Sequence, residues 1–104
     1  MNQTEHMERD IYSRTLATAK GYYAMLRRRR ILPQGPVQQK NDERIEAVEK
    51  AWMDCQNVME REVIQKNLFE GLPMQHIPVY YSIRAMKRIR KNFLVRLAKN
   101  LKEI

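Results

Sequence analysis

The segment Ser82-Ile83-Arg84-Ala85-Met86-Lys87-Arg88-Ile89-Arg90-Lys91-Asn92-Phe93-Leu94-Val95-Arg96-Leu97-Ala98-Lys99 separates by side-chain type at helical spacing. At roughly 100° per residue, Met86, Ile89, Phe93 and Leu97 gather on one side. Arg84, Lys87, Arg88 and Lys91 fall opposite, with Arg90 and Arg96 on the flanks. The pattern predicts an amphipathic helix whose apolar stripe packs inward. Ser82 suits its N-cap, because a serine oxygen accepts from a first-turn amide. Like charges at this spacing repel by roughly a few tenths of a kcal/mol per pair. An external anion would offset that cost. A duplex backbone supplies anions at regular spacing, and arginine reads guanine edges bidentately. A solvated basic face that keeps the protein soluble accounts for the same charges.

Before this helix the charge reverses. Residues 41–70 hold eight acidic and four basic side chains, whereas residues 82–102 hold eight Lys or Arg and no acid. Ile45, Val48, Trp52, Cys55 and Met59 recur at spacings of three and four, which predicts a helix capped by Asn41 or Asp42. A new helical turn is expected near Asn57, carrying Val63, Ile64, Leu68 and Phe69 inward and ending at Gly71. Pro73 suits the first turn of a short helix, Met74 to Tyr80, whose end Pro78 disturbs. Helix, short helix, polar turn and basic helix make a helix-turn-helix layout, in which the last helix enters the major groove.

Towards the N-terminus, Tyr12, Leu16, Ala19, Tyr23 and Leu26 predict one long helix from Thr4 to Ile31. Thr4 is its N-cap, and Gly21 is a weak spot in its interior. Arg27 to Arg30 close it where the helix dipole favours cations, and they read as a solvated end or as a second phosphate contact. Pro33-Gln34-Gly35-Pro36 stops the helix, and the polar stretch to Lys40 reads as a linker. The expected fold is all-α: residues 1–40 form a long N-terminal helix and linker, and residues 41–104 a small helix-turn-helix unit. The stripe of the first helix needs a partner, either the second helix or another copy. A homodimer would match paired DNA half-sites.

Twenty Lys and Arg against twelve Asp and Glu give a net charge of +8, which favours polyanionic partners. Cys55 is the single cysteine, so no intramolecular disulfide forms, as expected in a reducing, cytoplasmic setting. The start MNQTEHMERD lacks the apolar core of a signal peptide, and no apolar run reaches membrane-spanning length. There is no phosphate-cradling glycine loop and no nucleophile–base signature, so neither an enzyme nor a cofactor is expected. His6 and His76 stand far apart with no cysteine nearby, which argues against a metal site. Cys55 reads as a small buried hydrophobe and Trp52 as core. Tyr12, Tyr22 and Tyr23 read as core or interface rather than as a base-stacking platform.

Glu60-Arg61-Glu62-Val63-Ile64 and Leu68-Phe69-Glu70-Gly71-Leu72 resemble the opening of the sigma-factor domain that reads the upstream promoter element. Ile77-Pro78 and Ser82 through Lys91, continued by Phe93-Leu94 and Leu97-Ala98, are similar to phage late-gene transcription regulators of the ArpU and RinA types. The likeness covers about residues 57 to 101. Val79-Tyr80-Tyr81 lengthens the turn, and Pro78 stands where many helix-turn-helix proteins carry alanine. The resemblance implies sequence-specific binding of double-stranded DNA near a late promoter and activation of phage genes in a bacterial cell. It puts Ser82, Arg84, Lys87 and Arg88 at the start of the recognition helix. Arg84 and Arg88 would approach bases, while Lys87, Arg90 and Lys91 contact phosphates. Tyr80 and Tyr81 would touch the backbone through their hydroxyls, or one of them packs in the core. Two other functions fit the same charge: an adaptor binding an acidic protein surface such as RNA polymerase, and an RNA-binding antitermination factor.

Overall fold

In the computed structural model, which describes residues 7–104, five α-helices follow the proline and glycine punctuation. They are α1 (Arg9–Lys20), α2 (Tyr22–Arg29), α3 (Pro36–Met53), α4 (Val58–Ile64) and α5 (Ile83–Asn100). A π-helical turn, Gln65–Phe69, continues α4, and a single 3-10 turn, Met74–His76, precedes α5. The described residues form no strand, so the fold is all-α. None of their helices is long and apolar enough to cross a membrane.

The helix expected from Thr4 to Ile31 is divided at Gly21, and the cap expected at Thr4 lies outside the described residues. Gly21 has φ −87° and ψ 7°, and its amide is shared between the carbonyls of Ala17 at 3.0 Å and Thr18 at 3.2 Å. That ψ lies outside the α-helical range, so the regular helix is interrupted between α1 and α2. Thr15, Ala19, Tyr22 and Met25 are buried, while the predicted stripe residues Tyr12, Leu16, Tyr23 and Leu26 are half-buried around them. α1 packs against α5 and the π turn, and α2 against α3. The partner required by the first stripe is therefore supplied within the chain. One core joins Ala19 and Tyr22 to Ile45, Val48, Phe93 and Leu97, across the division at residue 40.

Residues 36–40, expected in a linker, form the first turn of α3. Pro36 occupies the first helical position, where its missing amide costs nothing and its fixed φ is already helical. Gly35, at φ 149°, replaces Asn41 and Asp42 as the N-cap. Asn41 is instead buried inside α3 and donates its side-chain amide to the Met25 carbonyl at 3.0 Å, tying α3 to α2. The new turn expected near Asn57 is α4, and Asn57 is its N-cap, its side chain accepting from the Glu60 amide at 2.9 Å.

Four inward residues of the next segment decide its shape. In a regular helix Val63, Ile64, Leu68 and Phe69 would spread over roughly 240°, too wide for one face. The π turn places an extra residue in the coil, and all four are buried. Gly71, at φ 79°, then turns the chain away, and the Leu72 amide closes back to the Lys66 carbonyl at 2.9 Å. The Phe69 ring ends among four others, with centroids 4.7 Å from Tyr22, 5.6 Å from Trp52, 5.9 Å from Tyr23 and 6.4 Å from Phe93.

Polar staples fix α3 and α4 around this cluster. Trp52 Nε1 donates to the Arg61 carbonyl at 2.9 Å across the α3–α4 turn. Tyr22 is buried and donates its hydroxyl to Glu49 at 2.6 Å. Burial, and then the neighbouring carboxylate, hold the Tyr22 phenol well above the ordinary tyrosine range. The folded state therefore keeps a proton that the unfolded chain releases near pH 10. Stability from this group is intact below that pH and is lost as pH rises beyond it. The phenolate absorbance assigned to Tyr22, taken as the difference between the parent and a Tyr22→Phe chain, is expected to emerge only together with alkaline unfolding.

Candidate nucleic-acid interface

α5 is built as its pattern requires at its start. The Ser82 oxygen accepts from the Ala85 amide at 3.0 Å, and the Met86 amide reaches the Ser82 carbonyl at 2.9 Å. Met86, Ile89, Phe93 and Leu97 are buried, and Arg84, Lys87, Arg88 and Lys91 are exposed on the opposite side. None of these four cations lies within ion-pair distance of an acid among the described residues. From Arg84 to Lys91 the helix advances about 10 Å, close to the spacing of three stacked base pairs. Arg84 falls in the first turn, where the helix dipole is positive and disfavours a cation. An external polyanion relieves both that conflict and the mutual repulsion of the four cations.

Beyond Asn92 the helix is a different object. Leu94, Val95 and Ala98 share the side of α5 that carries the cations, yet all three are buried. α1 and α3 pack on α5, and its second half forms the centre of the fold. The continuous exposed face of α5 therefore runs from Ile83 to Asn92, and beyond it only Lys99 of the helix is exposed.

The flanking arginines serve the fold. Arg96 Nε donates to the Ala51 carbonyl at 3.3 Å and a terminal nitrogen reaches Cys55 Sγ at 3.2 Å, near the carbonyl-rich end of α3. Cys55 is buried, and burial pushes its thiol above the usual range, against the opposing pull of Arg96. Arg90, expected on a phosphate, is half-buried and donates to Asn67 Oδ1 at 3.3 Å. Arg27 to Arg30 are exposed at the end of α2, with Arg29 paired to Asp42 at 3.4 Å.

The helix expected from Met74 to Tyr80 is reduced to the turn Met74–His76. Pro78 has no amide to continue a ladder, and Ile77 before it adopts φ −90° and ψ 120°, as a residue preceding proline prefers. Six residues, 77–82, then connect to α5, so the turn is longer than in a compact helix-turn-helix. The two tyrosines in this connection part company. Tyr81 is half-buried against the core, and its hydroxyl accepts from Asn57 Nδ2 at 3.4 Å. Tyr80 is 99% exposed. The buried second half of α5 and the structural role of Arg96 were not read from the sequence, whereas the split between the tyrosines matches the alternative that one of them packs in the core. Pro78 was the one local signal for the lost helix.

Among the described residues no three His, Cys, Asp or Glu side chains gather in a metal-binding group. In comparisons with protein-family models, curated proteins and solved structures, nothing matches this chain.

Proposed function

We propose that the chain binds double-stranded DNA through the first half of α5 and acts as a transcriptional regulator. The observation that carries this reading is the exposed, unpaired set Arg84, Lys87, Arg88 and Lys91, backed by the buried Met86, Ile89 and Phe93. A rigid helix start that presents its N-terminal side chains is the part of a helix-turn-helix protein that meets base edges. Arg84 and Arg88 take the base contacts, and Lys87 and Lys91 the phosphates. The likeness of residues 57–101 to phage late-gene regulators supports the narrower reading of a promoter-proximal activator.

Neutralising one phosphate contact releases fewer counterions on binding. A Lys91→Gln chain is therefore expected to bind every duplex more weakly, with the slope of log affinity against log salt reduced by about one. Fluorescence anisotropy with a labelled duplex at several salt concentrations measures this. An unchanged slope removes Lys91 from the interface. Structured RNA displacing the duplex at equal concentration would overturn the DNA reading in favour of RNA.

A further inference from the structure

Single exposed hydrophobic side chains are ordinary on protein surfaces. Tyr80 differs in how its surroundings are fixed. On its N-terminal side Ile77 is buried, Val79 packs on the core, and the Val79 amide closes a tight turn about Pro78 onto the Ile77 carbonyl at 2.9 Å. On its C-terminal side Tyr81 packs on the core and Ser82 caps α5. The backbone is thus anchored before and after a ring that is 99% exposed. Among the described residues the Tyr80 ring enters no aromatic pair, and its hydroxyl makes no hydrogen bond. Ile83, one residue inside the helix, is also exposed, at 44%.

Tyr80 stands four residues before Arg84. Even a fully extended chain keeps their Cα atoms within about 14 Å, the length of roughly four base steps. A tyrosine ring carries a large flat apolar surface and only two side-chain torsions, so little freedom is lost when it stacks. Resting on the reading of α5 as a DNA-binding helix, we infer that Tyr80 is a base-stacking contact. Its ring enters a locally unstacked step of the bound duplex, beside the bases approached by Arg84. The ligand is then a duplex that opens or kinks at that step, and its deformability contributes to selection.

The test uses a fluorescein-labelled duplex and the same duplex with one mismatched step, where unstacking is cheapest. The parent and Tyr80→Phe chains are expected to prefer the mismatched duplex. Tyr80→Ala loses that preference and binds the mismatched duplex about tenfold more weakly, with an unchanged salt slope. The stacking role is overturned if Tyr80→Ala matches the parent on both probes. It is equally overturned if Tyr80→Phe fails as badly as Tyr80→Ala, because the hydroxyl is then the contact. An Arg84→Ala, Arg88→Ala chain separates the two levels. If it weakens binding while Tyr80→Ala does not, DNA binding stands and stacking falls. If the parent binds neither duplex, both fall.

Discussion

A Phe69→Ala chain is expected to lose about 4–5 kcal/mol of stability, the upper part of the range for truncating a buried phenylalanine. The reason is the position of the ring rather than its burial alone. Phe69 touches the rings of Tyr22, Tyr23, Trp52 and Phe93, so it joins α2, α3 and α5 through the π turn. Each well-placed aromatic pair adds about 0.5–1.5 kcal/mol beyond area burial. Alanine would leave the four rings facing a cavity that rigid helix ends cannot close. It would also remove the inward residue that rewards the widened π turn. In a domain of this size the melting temperature should fall by about 15 °C or more, as read by circular dichroism. Phe69→Leu, which fills part of the space, should fall by less than half as much. A Phe69→Ala chain melting within a few degrees of the parent would show that Phe69 is not the joint of the core.

What the sequence made legible was local. Ser82, Asn57 and the stripe Met86-Ile89-Phe93-Leu97 act through near neighbours, and caps and periodicity report on those directly. Cys55 is buried as expected, but in the turn after α3 rather than on a helical stripe, because α3 ends at Met53 and Met59 belongs to α4. Pro36 was misread as a stop because proline ends one helix and begins another with the same chemistry. The polar residues after it then looked like linker. The burial of Leu94, Val95 and Ala98 depends on α1 and α3 arriving from distant sequence. The one signal within α5 is the change on a single side from Arg84, Lys87, Arg88 and Lys91 to Leu94, Val95 and Ala98, which marks where the exposed first half gives way to the enclosed second half. Arg96 looks like one more cation until the α3 carbonyls appear beside it.

The first half of α5 yields the prediction that bears most on function. An Arg84→Ala, Arg88→Ala chain is expected to keep its fold, because both side chains are exposed and neither is ion-paired among the described residues. It should also keep weak, salt-sensitive binding, since Lys87 and Lys91 remain. What it should lose is discrimination. Each bidentate arginine–guanine contact is worth about 1–3 kcal/mol against the wrong base. Removing two should collapse the preference for a selected duplex over a scrambled one by about a hundredfold or more. Selecting bound duplexes from a random library with the parent chain supplies the test sequence. Competition of selected against scrambled duplex then gives the ratio for each variant. A charge-preserving Arg84→Lys, Arg88→Lys chain sharpens the result, because lysine keeps the charge but not the planar fork. It should retain the parent's salt slope and still lose most of the ratio. If the double lysine chain instead keeps the full ratio, the arginines act as charge alone, and base reading must be assigned elsewhere on the protein. If the double alanine chain keeps it, the exposed face of α5 is not the reading surface.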